Sequence, residues 1–216
     1  MEPKHIENAQ WKDQEVEEPS KSDTQHKTNH QNKISHQQRN EKGKLLVYTG
    51  DGKGKTTAAL GLALRATGRG KRVVVIQFIK SPQRTYGEHL MFQKIGIDMY
   101  QKGAGFTWTK TPDVHREALR EAWTFAKDII KSGEYNLVIL DELNNALAIN
   151  RFPIADVLPF QDVLDTIRTR PRSMDVVVTG RNAQSALLDQ ADLVTVMSLE
   201  KHYYNEGVNA ILGLEY

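Results

Sequence analysis

The chain contains no cysteine among its 216 residues. This excludes disulfides, thiolate metal sites, iron–sulfur clusters and a cysteine nucleophile, and a cytoplasmic location is expected. A strong charge of one sign is also lacking, since the net charge is only +2, so neither nucleic acid nor a membrane is expected as a partner. No apolar run approaches the roughly 20 residues that span a bilayer, and the N-terminus lacks the apolar core of a secretion signal.

Large apolar side chains are scarce in residues 1–42, which are rich in Gln, Asn, His, Lys and Glu. Such a segment cannot bury enough surface to offset the entropy of ordering it, so a disordered leader is predicted. Its histidines have no regular metal-site spacing, and we assign them no role. Residues 43–216 are expected to form one domain with a single sizeable core.

From Lys44 onward, short β-branched runs alternate with helical patterns. They predict strands at 45–49, 73–78, 97–100, 137–140, 176–179 and 193–197, and helices at 55–67, 87–94, 113–131, 154–168 and 183–188. Strands that are apolar throughout indicate a parallel sheet covered on both faces. The predicted fold is therefore a three-layered α/β domain with ligands at the carboxyl ends of the strands.

The first predicted strand runs into a glycine-rich turn that ends in Gly-Lys-Thr and opens a helix. Glycines let the main chain come close without Cβ collisions, and converging amides, the helix dipole and a lysine favour a triphosphate. The turn places the fold in the P-loop NTPase-like, RecA-like class, with a plain glycine turn as the alternative. The nucleotide-binding candidates here are Gly50, Asp51, Gly52, Lys53, Gly54, Lys55, Thr56 and Thr57.

The turn is irregular, because Thr49 stands where the usual spacing has a glycine. The arch from Gly50 to Gly54 is one residue short, which bears on how a nucleotide lies rather than on whether it binds. Asp51 within the arch adds repulsion near phosphate, so its side chain is expected to turn outward and leave its amide to bind.

A second site follows the apolar run at 137–140, which ends in Asp141 and Glu142. With the Thr56 hydroxyl, these oxygens suit Mg²⁺ or Mn²⁺, which takes one or two carboxylates besides phosphate oxygens and waters. Neighbouring residues of a strand point to opposite sides, so only one carboxylate is expected to contact the ion. The alternative is that Asp141 merely caps a helix at 143–149.

Two further features accompany these motifs. The glycine-flexed loop at 102–109 carries Phe106 and Trp108, which either pack into the core or form the wall of a pocket for a flat apolar ligand. Arg181 follows a predicted strand, where it could meet phosphate or pair with a neighbouring carboxylate.

Taken in order, the motifs closely resemble the P-loop type of corrinoid adenosyltransferase, the ATP:cob(I)alamin adenosyltransferases. The resemblance spans residues 43–216 and rests on Thr-Gly-Asp-Gly-Lys-Gly-Lys-Thr-Thr at 49–57, Val-Ile-Gln-Phe-Ile-Lys at 75–80, Gly-Ala-Gly-Phe-Thr-Trp at 103–108 and Leu-Asp-Glu-Leu at 140–143. It also includes Gly-Glu at 87–88, Thr-Gly-Arg at 179–181, Lys-His at 201–202 and Gly-Leu-Glu-Tyr at 213–216.

This resemblance implies that the cobalt of cob(I)alamin or a cobinamide-type corrinoid attacks the 5′ carbon of ATP and expels tripolyphosphate. Lys53, Lys55, magnesium and the loop amides would stabilise the leaving group, and Phe106 and Trp108 would form an apolar floor at the cobalt. The catalytic candidates are therefore Lys55, Phe106 and Trp108, and the further nucleotide-binding candidates are Arg65, Glu88 and Arg181, with structural salt bridges as the alternative for these three.

The resemblance also implies a reversed nucleotide, an external flavin-type reductase and a homodimer, with residues 30–42 as a lid over the corrinoid. Two other functions stay open. A generic P-loop ATPase or nucleoside kinase would explain the glycine turn and the Asp-Glu pair alone, and it predicts ADP as product. A nucleotide-sensing regulator is the non-enzymatic alternative. The sequence shows neither a basic groove nor an exposed amphipathic helix that would support it.

Overall fold

The computed structural model describes residues 42–105 and 110–215. The predictions for the leader through residue 41, and those for Phe106 and Trp108, lie outside the described residues. None of the helices in the described ranges combines the length and apolar character needed to cross a membrane.

One six-stranded sheet organises the described residues. Its strands are β1 (Leu45–Thr49), β2 (Val73–Gln77), β3 (Asp98–Gln101), β4 (Leu137–Asp141), β5 (Asp175–Thr179) and β6 (Leu193–Val196). They are ordered β3-β2-β4-β5-β1-β6, and every neighbouring pair is parallel. The predicted parallel α/β sheet is confirmed.

Helices cover both faces of this sheet. They are α1 (Lys55–Thr67), α2 (Gly87–Ile95), α3 (Pro112–Ser132), α4 (Leu143–Leu147), α5 (Phe160–Arg168) and α6 (Ser185–Gln190), followed by a 3₁₀ helix at Tyr203–Glu206. Along β2 the buried side chains alternate, since Val75 packs with α1 and α2, whereas Val74 and Ile76 pack with α3 and α5. The three layers are therefore as predicted, but the core consists of two parts, one on each side of the sheet.

Element boundaries fall within two residues of the predicted ones, except at the start of α5. The helix predicted from residue 154 begins at Phe160 because Pro159 is extended (φ −67°, ψ 122°). Proline also disfavours helical backbone in the residue before it. Residues 154–158 form a separate turn instead, closed by the Leu158 N–H donating to the Ile154 carbonyl at 2.8 Å.

The carboxyl ends of the central strands meet at one edge of the sheet. Gln77 lies opposite Asp141 in the register of β2 and β4, and Val178 lies opposite Leu140, which puts Thr179 next to Asp141. The glycine turn leaves β1 at the same edge, because all of these strands run parallel. Candidate residues that are far apart in sequence are thereby collected in one place.

Candidate functional site

The glycine arch between β1 and α1 needs its glycines for two reasons. Gly50 and Gly54 have φ of +94° and +109°, in the left-handed region that favours glycine. A Cβ on Gly52 would lie 2.4 Å from the Ser198 carbonyl oxygen. The main chain of the arch therefore comes close to the backbone that follows β6, and the Gly52 N–H donates to the Met197 carbonyl at 2.7 Å.

Lys55 folds back into the arch. Its Nζ donates to the carbonyl oxygens of Gly50 at 2.7 Å and Gly52 at 2.5 Å. Burial, and then the positive charge of Arg181, lower the pKa of Lys55. The ammonium is thus held on the inner side of the arch, where an anion bound by the loop would meet it.

Asp141 at the end of β4 is fully buried and accepts three hydrogen bonds. The hydroxyls of Thr56 and Thr179 donate to Oδ1 at 2.8 and 2.7 Å, and the Gln77 amide donates to Oδ2 at 2.9 Å. The alternative that Asp141 caps a helix is wrong, because Glu142 occupies the N-cap of α4 and no side chain caps it. Asp141 instead joins the phosphate loop to two neighbouring strands.

Thr179 and Gln77 belong to this network although the sequence did not single them out as site residues. Thr179 also accepts the Glu142 N–H at 2.9 Å, so it bonds to both acidic residues. A signal was available, because each is the polar last residue of an otherwise largely apolar strand, as Asp141 is. A polar side chain that is buried at a strand end must find a partner.

Glu142 differs from its neighbour in conformation and in environment. Its backbone is left-handed, with φ of +61°, which costs a non-glycine residue about 1 kcal/mol or more and is typical of functional sites. Its carboxylate has no hydrogen-bond or ion-pair partner among the described residues. Burial, and then the charge of Asp141, raise the pKa of Glu142 to about 7.

The donors at this point are all oxygens. The Thr56 hydroxyl and the carboxylates of Asp141 and Glu142 fit a hard divalent cation, and Mg²⁺ needs few protein ligands when phosphate oxygens and waters complete its shell. In the part of the chain that the structure describes, no group of three or more His, Cys, Asp or Glu side chains could hold a metal by itself. A site shared with phosphate is therefore the arrangement that this donor set suits.

The remaining nucleotide-binding candidates differ in their exposure and in their ion-pair partners. Asp51 turns outward as expected, with a side chain 81% exposed, and lies 3.7 Å from the Arg181 guanidinium. Arg181 thus has the neighbouring carboxylate of the alternative interpretation, and Glu88 pairs with Lys80. Thr57 is exposed in the first turn of α1.

Arg65 lies apart from the arch. It is exposed in the last turn of α1, and the ten residues from Lys55 to Arg65 correspond to about 15 Å along the helix axis. Within one chain, Arg65 therefore does not line the arch. Lys53, in contrast, stays at the arch and forms an ion pair with Glu215 of the C-terminal segment.

A parallel strand, a glycine arch that encloses a lysine, and a threonine hydroxyl bonded to a buried aspartate define a nucleotide-binding protein of the P-loop class. Comparison with known families is more specific. The profile of the family described as ATP:corrinoid adenosyltransferase BtuR/CobO/CobP matches residues 41–216, and the chain belongs to this family.

Individual relatives agree with this membership. The chain is 38% identical over 181 residues to the corrinoid adenosyltransferase of Escherichia coli strain K12, covering 83% of this chain and 89% of the relative. It is 41% identical over 184 residues to that of Pseudomonas aeruginosa PAO1, covering 83% and 87%. Among solved structures it matches KaiC-like protein PH0186 from Pyrococcus horikoshii OT3 with 15% identity and a TM-score of 0.46, over 74% and 75% of the two chains.

Membership confirms the ATP:corrinoid adenosyltransferase activity that the family resemblance implied. The chain is an ATP-dependent transferase that acts on corrinoids in cobalamin biosynthesis, with ATP and a corrinoid as its substrates. The generic ATPase, the nucleoside kinase and the nucleotide-sensing regulator receive no support from these relatives.

Proposed function

We propose that the glycine arch holds the triphosphate of ATP as a leaving group while the reduced cobalt of the corrinoid attacks the 5′ carbon. The electron pair of cobalt(I) forms the cobalt–carbon bond, and the pair of the breaking carbon–oxygen bond leaves with tripolyphosphate. No protein side chain has to act as nucleophile or base. The protein contributes alignment of the reactants and stabilisation of negative charge on the leaving group.

The observation that carries this proposal is the lysine inside the arch. Lys55 already has its ammonium on the carbonyls of Gly50 and Gly52, and Lys53 projects from the same loop. Kinases and hydrolases additionally arrange groups around the γ-phosphorus and position a water or hydroxyl. Displacement at carbon has no such requirement, so the loop has only to supply cations and amides that stabilise the leaving group.

The donors around Asp141 would hold Mg²⁺ or Mn²⁺, which when bound neutralises charge on phosphate oxygens. Both Asp141 oxygens already accept hydrogen bonds, whereas the Glu142 carboxylate has no partner among the described residues. We therefore assign direct contact with the ion to Glu142 and the Thr56 hydroxyl. Asp141 then orients Thr56 through the 2.8 Å hydrogen bond.

Phe106 and Trp108 receive the role of an apolar floor that keeps water from the cobalt. The start of their loop is held beside the end of β2, where the N–H groups of Gly103 and Gly105 donate at 3.0 Å to the carbonyls of Lys80 and Ile79. Replacing either aromatic residue by Ala should slow turnover from cobalt(II) far more than it weakens ATP binding. Equal damage to turnover and binding would count against the floor.

Several finer features complete the proposal. The short arch supports a reversed nucleotide, and a bound structure with the γ-phosphate at the usual Lys55 position and the ribose away from the 106–108 loop would overturn it. The family resemblance assigns reduction of the corrinoid to an external reductase of the flavin type, and the chain has no cysteine that could serve as a thiol or cluster reductant. We carry over the homodimer and the role of residues 30–42 as a lid from the family resemblance, and the cytoplasmic location from the cysteine-free composition.

The deciding experiment mixes the protein, ATP, magnesium and chemically reduced corrinoid without oxygen. Tripolyphosphate together with a light-sensitive alkylcobalt spectrum is the expected result. ADP or orthophosphate with an unalkylated corrinoid would overturn the proposal. Lys55→Met should lose the activity, whereas Lys71→Met, the same change at an ammonium that pairs with Asp175 at 2.9 Å outside the site, should keep it.

A further inference from the structure

The C-terminal segment returns to the phosphate loop after β6. The Glu215 N–H donates to the Ile211 carbonyl at 2.9 Å, and this turn presents the Glu215 side chain to Lys53. The two carboxylate oxygens have different partners, the Lys53 ammonium on one and the Tyr203 hydroxyl on the other. Lys53 also lies 5.9 Å from the centre of the Tyr203 ring.

In this ion pair, the carboxylate is less exposed to solvent than the ammonium. The side chain of Glu215 is only 16% exposed, whereas that of Lys53 is 48% exposed. The hydrogen bonds from Lys53 and then from Tyr203 lower the pKa of Glu215. The carboxylate is therefore charged at neutral pH, and Lys53 has an anionic partner before any nucleotide arrives.

The leaving group of the proposed reaction differs from the products of other phosphate-loop enzymes. A kinase or hydrolase shortens its nucleotide, so the product loses contacts with the loop. Here the leaving group keeps all three phosphates of ATP, so each contact that the loop made with the substrate's phosphates can persist in the product. A group that competes for the cations of the loop would therefore favour release of tripolyphosphate.

We propose that Glu215 is an internal competitor for Lys53, which yields the ammonium to a bound polyphosphate and takes it back as tripolyphosphate leaves. This inference rests on the proposed function, in which Lys53 contacts the leaving group. Glu215 would also repel the polyanion directly, since like charges at short range disfavour each other. Both effects weaken polyphosphate binding, so removal of the carboxylate has a defined sign.

The test measures binding of magnesium tripolyphosphate by titration calorimetry at low ionic strength. Glu215→Gln keeps the size of the side chain and should tighten binding about two- to fivefold, the range that a partly exposed ion pair supports. The gain should shrink at about 1 M salt, where charges are screened within about 3 Å. In a Lys53→Gln background, Glu215→Gln should tighten binding less than it does in the presence of Lys53, because only the direct repulsion of the polyanion is then removed.

Glu206→Gln is the matched control. Glu206 belongs to the same C-terminal segment, but its carboxylate pairs with Lys201 at 2.9 Å rather than with Lys53. Its substitution removes the same charge and should leave the dissociation constant unchanged. Equal tightening in both variants would reduce the effect to net charge and overturn the inference.

Weaker or unchanged tripolyphosphate binding in folded Glu215→Gln would also overturn it, because a carboxylate that merely positions Lys53 predicts weaker binding. If Glu215→Gln does not fold, Glu215→Asp takes its place, since its shorter reach should release Lys53 in part and tighten binding to a smaller extent. Absence of tripolyphosphate binding in the unmodified protein, with ATP binding unaffected by Lys55→Met, would instead reject the proposed function itself.

Discussion

Thr179→Val should destabilise the protein without changing the shape of the residue. The Thr179 hydroxyl is fully buried, donates to Asp141 Oδ1 at 2.7 Å and accepts the Glu142 N–H at 2.9 Å. Valine replaces the hydroxyl by a methyl group of similar size. The buried carboxylate then loses one of its three donors, and a backbone N–H loses its acceptor.

The expected magnitude follows from these two losses. A hydrogen bond to a charged group contributes about 1.5–3 kcal/mol, and an orphaned buried donor costs about 1–3 kcal/mol. The two losses share one hydroxyl and are not fully additive, so we expect the free energy of unfolding to fall by about 3 kcal/mol. At about 2–4 °C per kcal/mol for a domain of this size, Tm should fall by about 6–12 °C.

Thermal unfolding followed by circular dichroism measures this change, with Thr179→Ser as the control. Serine keeps the hydroxyl and loses one methyl group, for which we expect about 1 kcal/mol and a fall in Tm of about 2–4 °C. If the valine variant is as stable as the serine variant, the hydroxyl does not organise the two acids and the reasoning fails.

Two other substitutions test the site. Glu142 has a pKa raised from 4.5 to about 7 by burial and by Asp141, so the native state keeps a proton that the unfolded state loses, and stability should fall as pH rises across that window. The Tm of metal-free wild type minus that of Glu142→Gln should therefore decline between about pH 5 and about pH 8. A difference that does not change with pH would contradict this. Gly52→Ala should abolish ATP binding and lower Tm, because its Cβ would meet the Ser198 carbonyl at 2.4 Å. Gly61→Ala, with nothing within 4 Å, should raise stability by about 0.5–1 kcal/mol, and equal effects of the two changes would count against a steric origin.

Local patterns were sufficient to predict most of the fold. The bounds of β1 and α1 agree with the prediction at both ends, because the glycine arch marks where the strand stops and the helix begins. The start of α5 could not be found from apolar periodicity, since the apolar residues from 154 onward continue the pattern across Pro159. In that segment the backbone restriction of proline outweighs the hydrophobic pattern.

The candidate site was predictable only in its local parts. The arch and the Asp141–Glu142 pair are visible as short motifs, but the hydrogen bonds that hold Asp141 come from β2, α1 and β5 and depend on strand order. The contact between Lys53 and Glu215 joins positions 162 residues apart. Its geometry depends on how the C-terminal segment folds back, which no periodicity in the sequence encodes.

Under the proposed function, phosphate binding at this arch is an exchange of partners. Lys55 bonds to loop carbonyls, Lys53 pairs with Glu215 and Arg181 lies beside Asp51, so phosphates must replace these contacts, and each cation contributes less than a bare charge would. Glu142, in contrast, has no cation among the described residues close enough to pair with its carboxylate. Burial and Asp141 raise its pKa despite the nearby cations. In the proposed function, a divalent ion that arrives with the phosphates would supply such a cation and add attraction for the polyanion. Nucleotide and ion should therefore bind with positive coupling, each raising the affinity for the other by the same factor.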